Sequence, residues 1–345
     1  MKKYAVLLNP GHNRVYFMST LKLAEAELNV VLKGLSNTFS NTKIEVIANI
    51  NYITFECVED IENTSIDAIS KLSFYYALFE MLKVNDDILL KPINVCVSDY
   101  VSDSISSILK YTGKTNELFT RMMINIALAN SDNKENINLL DPIAGKGTTL
   151  YEGAIRGFNT YGIEIGDKVT SEAYAYMKKF LTSEKLKHDS DIIRISGENK
   201  SFKGKKYTIT YAKDKEEYKN NKKEWCIISG DSRYSDKMYK KNFFDILVGD
   251  LPYGVQHSNV TMENQSSFTR NPSELLRVCL PSWYNSMKSG GALVLAWNTF
   301  VLPREKMIEL LEKANFKVLN EGVYTEFSHR VDNAIMRDIV VAKKI

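Results

Sequence analysis

The densest chemistry in the chain lies in Val248-Gly249-Asp250-Leu251-Pro252-Tyr253-Gly254. An acid at the end of an apolar run is followed by a proline that stiffens the turn and a tyrosine that offers a flat face. This set suits an exocyclic amine on a nucleic-acid base. Such an amine is a poor nucleophile, because its lone pair is delocalised into the ring. The Asp250 carboxylate and the Leu251 backbone carbonyl are acceptors that can orient its protons and expose the lone pair. Tyr253 can stack a splayed base, an interaction worth roughly 1–3 kcal/mol. A paired base cannot reach such a pocket, so a flipped or unpaired target is expected. Asp250, Leu251, Pro252 and Tyr253 are therefore the candidate catalytic residues. The plain alternative is an ordinary Pro-Tyr-Gly turn after a strand.

Acids upstream weigh against that alternative. Asp141-Pro142-Ile143-Ala144-Gly145-Lys146-Gly147-Thr148-Thr149-Leu150 stands between an apolar run and a helical pattern. A phosphate-binding P-loop would need glycine at position 140 and serine or threonine at 147, and these are Leu140 and Gly147. A dinucleotide fingerprint would need glycine at position 150, which is Leu150. An acid followed by Gly-x-Gly suits a ligand that carries an amino acid and no phosphate. Asp141 can accept from a methionine ammonium, and the expected loop contacts are Ala144, Gly145, Gly147, Thr148 and Thr149. Glu164, nineteen positions past Gly145, can take both ribose hydroxyls, with Ile165 beside it. Asp231 and the Ser232 backbone N–H can read the adenine edge. Three acids at the ends of successive strands thus predict a site for S-adenosylmethionine, with Asp250 expected to contact the cofactor as well as the amine. Neither a metal nor a covalent intermediate is required, and no metal site is expected.

These residues need a scaffold. From residue 136 on, short apolar runs alternate with helical patterns, at 137–140, 161–163, 225–229, 244–248, 292–297, 316–319 and 339–342. That rhythm predicts β-α-β units in a doubly wound sheet, and ligands sit at the carboxyl ends of such strands. Residues 1–98 read as a separate α+β domain, a packing or docking module. Strands are expected at 4–9, 44–48 and 52–58 and helices at 18–35 and 68–82, although the aromatic run 74–76 also fits a strand. Residues 99–345 form the second domain, opening with helical segments to about 130. Within it, 184–224 is a lysine-rich insertion with eleven lysines and one arginine against eight acids. It reads as a solvated insertion or as a basic arm for a phosphate backbone. His257 suits a loop hydrogen bond or a base, and the polar loop 258–272, with Phe268 and Arg270, is long enough to contact substrate.

Composition narrows the class without naming a substrate. At 345 residues and 44% hydrophobic, the chain can build two cores without staples. A net charge of +3 leaves any nucleic-acid surface to local clustering. Cys57, Cys96, Cys226 and Cys279 are far apart and lack C-x-x-C spacing, so reduced, buried thiols are expected. No signal peptide or apolar span is legible, which predicts a cytoplasmic protein with no membrane partner.

The cofactor turn Asp141-Pro142, Gly145-x-Gly147-Thr148 and Glu152, joined to Asp250-Leu251-Pro252-Tyr253-Gly254, resembles the RNA methylase group that includes the tRNA guanosine-N2 methyltransferases. The short bacterial, clostridial-type relatives are the most similar. Lys114-Thr115-Asn116 resembles the segment that packs over the cofactor in that group, and His329-Arg330-Val331-Asp332 with Arg337-Asp338 resembles its final hairpin. The group more often has Asp-Pro-Pro-Tyr, where this chain has Leu251. The resemblance implies a Rossmann-like class I methyltransferase sheet of seven strands, the last antiparallel. It implies S-adenosylmethionine held by Asp141, Glu164 and Asp231, and an RNA partner, tRNA by this likeness. An adenine- or cytosine-amine methyltransferase on DNA or rRNA, and a non-catalytic RNA-binding protein of the same fold, are the alternatives.

Overall fold

The structure, a computed structural model, describes residues 1–9, 14–95, 99–107, 116–253 and 272–345. The chain divides into two compact units, Met1–Ser98 with Asn320–His329, and Asp99–Leu319 with Arg330–Ile345. Residues 320–329, expected in the second domain, thus cluster with the first.

The first unit holds β1 (Lys2–Leu8), α1 (Arg14–Lys33), β2 (Phe39–Ile47), β3 (Ile50–Cys57), α2 (Asn63–Ser70), β4 (Tyr75–Val84) and β5 (Asp87–Pro92). The strands form an antiparallel sheet in the order β2-β3-β1-β4-β5. The apolar face expected for α1, from Leu21 through Ala24, Leu28 and Val31 to Leu32, is buried. The helix expected at 68–82 is a correction. A shorter helix ends at Ser70, and Tyr75–Val84 is a strand registered on β1, with Phe79 opposite Ala5 and Leu78 opposite Val6. Aromatic residues favour a pleated, half-buried surface, and β1 needs a partner on that side.

The second unit contains α3 (Ser104–Ser107), α4 (Glu117–Asn130), β6 (Asn138–Asp141), α5 (Thr148–Ile155), β7 (Asn159–Glu164), α6 (Asp167–Ser183), β8 (Lys187–Ser196), β9 (Lys203–Ala212), α7 (Lys215–Asn220) and β10 (Lys223–Ser229). It continues with α8 (Ser235–Met238), β11 (Phe244–Asp250), α9 (Pro272–Ser286), β12 (Met287–Asn298), α10 (Arg304–Lys313) and β13 (Phe316–Leu319), and closes with the two-residue strand β14 (His329–Arg330), at the border of the units, and β15 (Met336–Lys344). All seven expected runs are strands. The sheet order is β13-β15-β12-β11-β6-β7-β10-β9-β8. Strands β12, β11, β6, β7 and β10 run parallel, and β15 is antiparallel to β12 and β13. This is the Rossmann-like methyltransferase arrangement, lengthened at one edge by the β8–β9 hairpin.

The central strands carry near-continuous apolar runs because both faces are covered. Ile246, Leu247 and Val248 on β11 and 292–297 on β12 are fully buried. Asp245, also buried, pins the amino-terminal side of the sheet. Its carboxylate accepts from Asn138 N at 2.8 Å, Asn133 Nδ2 at 2.9 Å and Lys288 Nζ at 2.7 Å. Ligands of open α/β sheets sit at the opposite edge, where the parallel strands end.

Candidate active site

Three strand tips are stitched together by backbone donors. Ala144 N donates to the Ile163 carbonyl at 2.9 Å, and Gly230 N to the Glu164 carbonyl at 3.0 Å. Gly145 N donates to Glu164 Oε2 at 3.0 Å, while Gly166 N donates to Oε1 at 2.8 Å. Glu164 therefore binds the glycine loop to the end of β7, and each of its oxygens keeps a further acceptor site. The loop reaches this position through left-handed glycines, Gly145 at φ +52° and Gly147 at φ +89°. A Cβ built on Gly145 would meet nothing within 4 Å, so the loop backbone faces open space before the strand tips. Gly147 caps α5, which starts at Thr148 and is buried throughout.

Asp141 ends β6 and is only 4% exposed. Its Oδ1 accepts from Ile143 N at 3.0 Å, and the Thr149 hydroxyl bonds it as well. Burial, reinforced by the charges of Asp250 and Glu164, pushes its carboxyl up to about 7. No cation pairs with Asp141 among the described residues. The ends of β7 and β11 thus bring Glu164 and Asp250 within electrostatic reach of Asp141 at the end of β6.

The candidate amine-binding turn continues from β11. Leu251 N donates to the Ala296 carbonyl at 2.8 Å, and the Leu251 side chain is buried in the core, which leaves only its backbone for chemistry. The Tyr253 hydroxyl donates to Asp250 Oδ1 at 2.6 Å. Burial and the Asp250 charge push the Tyr253 phenol far up, so it remains a donor at any physiological pH. Pro252 and Tyr253 are half-buried. Asp231 begins a short turn, where Oδ1 accepts from Arg233 N at 3.0 Å and Oδ2 pairs with the Arg233 guanidinium at 2.8 Å. Ser232 is buried, and its Oγ accepts from Trp283 Nε1 at 2.9 Å, which anchors this turn to α9. Ile165 is half-buried and lines the same cleft as Asp231.

Residue typing missed one part of the site. Arg337, 6% exposed, lies with its guanidinium 4.5 Å from the Phe119 ring centroid and 5.1 Å from that of Tyr253. Arginine planes stack well on aromatic faces. Asn298 extends this support. Its Oδ1 accepts from Met336 N at 3.1 Å and Phe300 N at 3.2 Å, and its Nδ2 donates to the Ala334 carbonyl at 3.0 Å. Both positions are legible once β15 is seen to run antiparallel. Arg337, near its start, is then opposite Asn298 at the carboxyl edge of β12.

Other candidates fall away from the site or beyond what is described. Burial pushes Cys226 up to about 11 and Cys279 up to about 12, so both are neutral thiols and not nucleophiles. Lys114, Thr115, Gly254, His257, Phe268, Arg270 and Cys96 lie outside the described residues. Asn116 caps α4, accepting from Leu118 N at 2.8 Å. Among the described residues no cluster of three His, Cys, Asp or Glu side chains could hold a metal, and no helix is long and apolar enough to cross a membrane.

Against known proteins, residues 112–320, more than half of the chain, match the RMKL-like methyltransferase domain family. The chain belongs to that family. RMKL-like proteins are S-adenosylmethionine-dependent methyltransferases of the RNA methylase class, so cofactor and reaction type follow. Among solved structures the chain is similar to TrmN from Thermus thermophilus, at 10% identity over 100% of both chains and a TM-score of 0.45. It is also similar to the rRNA methyltransferase aviRa from Streptomyces viridochromogenes, at 13% identity over 71% of this chain and 92% of that one, with a TM-score of 0.39. An S-adenosylmethionine-dependent methyltransferase from Clostridium acetobutylicum gives 12% identity over 60% and 83%, with a TM-score of 0.34. No curated protein matches the chain. The RMKL-like site fits its cofactor chemically. An uncompensated buried acid beside two further acids suits a ligand with an ammonium and a sulfonium, and the open face of Gly145 lets backbone approach it.

Proposed function

We propose that the chain methylates the N2 amine of guanosine in tRNA. Asp141 and the loop residues Ala144, Gly145, Gly147, Thr148 and Thr149 hold the methionine end of the cofactor. Glu164 takes the ribose hydroxyls, and Ile165, Asp231 and Ser232 border the adenine. S-adenosylmethionine supplies an electrophilic methyl group when bound. Asp250 and the Leu251 carbonyl accept hydrogen bonds from the two N–H groups of the target amine, which turns its lone pair outward. Tyr253 stacks the flipped base, while Arg337 and Phe119 fix the ring from its other side. Excluding water around these acceptors strengthens each of them.

The observation that carries this reading is the coupling of Asp141, Glu164 and Asp250 at adjacent strand tips, with Tyr253 bonded to Asp250 at 2.6 Å. Guanosine and tRNA rest on the motif resemblance. Tritiated methyl transfer to bulk tRNA, rRNA and genomic DNA, followed by nucleoside analysis, tests the proposal. Labelled N2-methylguanosine from tRNA is expected. Label found only as N6-methyladenine on DNA would remove it.

A further inference from the structure

A cleft of about 660 Å³ opens beside the adenine edge of the site, between the ends of β7 and β10 and the β8–β9 hairpin. Gly230 and Asp231 form one wall, and Arg194, Lys200, Lys203 and Lys205 line the hairpin side. The charge excess of the whole 184–224 insertion is concentrated here. Residues 194–206 hold five cations against one acid, Glu198, and the remainder of the insertion is balanced.

The hairpin holds these cations firmly. Strand β9 pairs along β10, with Lys205 opposite Ser229. A Cβ on Gly204 would sit 2.4 Å from the Ser229 carbonyl oxygen, so the close approach at this point requires glycine. Register then sets Arg194 directly across from Lys205, and Ser196 across from Lys203. Like charges directly opposite destabilise a sheet. Asp167 relieves Lys205 at 2.6 Å. Arg194, Lys200 and Lys203 are exposed and have no ion-pair partner among the described residues. Lysines on a sheet edge can serve only to block edge pairing. That role calls for charges along the whole edge strand, whereas these cluster at one end, over the cleft.

We propose that the tip of the β8–β9 hairpin is the docking element for the RNA backbone, with Arg194, Lys200 and Lys203 each contacting a phosphate. The proposal rests on the reading of the chain as an RNA methyltransferase. Phosphate contacts set register and leave sequence unread. A rigid basic edge beside the cofactor would fix how far along the strand the base offered to Tyr253 lies.

The test is fluorescence anisotropy with an end-labelled, unmodified tRNA transcript, titrated with the full chain from 50 to 200 mM KCl. The comparison is the triple variant Arg194→Gln, Lys200→Gln, Lys203→Gln. Each lost phosphate contact lowers the slope of log affinity on log salt by about 0.7 for single strands, so the triple variant loses about 2 from the slope. Over that fourfold salt range the parent's affinity then falls about 20-fold further than the variant's. A control triple, Lys306→Gln, Lys313→Gln, Lys317→Gln, removes equal charge at α10 and β13, and β13 is at the opposite end of the sheet from β8. It should keep most of the parent slope. The hairpin variant should melt no lower than the parent, because the repulsion between Arg194 and Lys205 is relieved. A hairpin variant with the parent's slope and affinity overturns the docking element while RNA methylation stands. A parent that binds a DNA duplex but no RNA overturns both. A hairpin variant that loses about 2 from the slope while binding S-adenosylmethionine like the parent separates docking from the cofactor site and supports the proposal.

Discussion

Replacing Asp141 by Asn should make the protein more stable at neutral pH and poorer at holding its cofactor. Asn keeps the acceptor for Ile143 N and can donate to Thr149 Oγ1, so the shape is preserved and only the charge is lost. The folded protein holds this carboxyl at about 7, against an ordinary value of 3.8. A raised carboxyl stabilises the fold while protonated. That contribution is complete below about pH 4 and disappears as pH climbs through about 7. Three pH units at about 1.4 kcal/mol each give a total near 4 kcal/mol, and about 3 kcal/mol of it falls between pH 5 and pH 8. The Asn variant lacks this slope, so its advantage over the parent should widen by about 3 kcal/mol across that interval. Urea unfolding followed by tryptophan emission is a suitable assay. The chain's three tryptophans, Trp225, Trp283 and Trp297, are buried in the second unit and report on it alone. In calorimetry the same variant should lose a hydrogen bond to a charged group, about 1.5–3 kcal/mol, or roughly 10- to 150-fold in cofactor affinity. A stability difference that stays flat from pH 5 to pH 8 would refute the reasoning, because the carboxylate would then be neither buried at cost nor poised for a cation.

Further consequences concern the same crevice. In the parent, S-adenosylmethionine affinity should rise about tenfold per pH unit up to about pH 7 and then level off, since binding draws on the ionised Asp141; calorimetry from pH 5.5 to 8.5 checks the bend. Asp250→Ala should lower methyl transfer on the order of 100-fold or more while leaving cofactor affinity within a few-fold, because it mispositions the amine and not the donor. Arg337→Lys removes the guanidinium that lies over the Phe119 and Tyr253 rings, so turnover on RNA should drop roughly tenfold without loss of cofactor binding, as single-turnover assays would read. Gly145→Ala forces a side chain into a left-handed position, at about 1–2 kcal/mol, and into the open face of the loop. Its cofactor dissociation constant should increase well beyond what its melting temperature suggests.

Much of the second unit is legible because a buried parallel strand advertises itself. The runs ending at Asp141, Glu164, Ser229 and Asp250 are apolar, short and spaced by helices, and the acids stand where such strands must stop. The glycine loop is legible too, since Gly145 and Gly147 adopt a left-handed backbone without the steric cost that a side chain would bring. The first unit is harder. Residues 68–82 mix helix formers with aromatics, and only the pairing with β1 decides that Tyr75–Val84 is a strand. Arg337 escapes residue typing because its role depends on the reversed direction of β15, which brings a residue from near the beginning of a strand to the edge where the other strands end. The engagement of Asp231 by Arg233 is likewise a matter of side-chain rotamer and not of spacing.

The most direct measurement of the central claim is nucleoside mass spectrometry of tRNA, rRNA and DNA from cells lacking this gene, complemented with the parent or with Asp250→Ala. The account predicts that N2-methylguanosine disappears from a tRNA position and returns with the parent alone. Unchanged N2-methylguanosine, with a different methylated base lost instead, would contradict it.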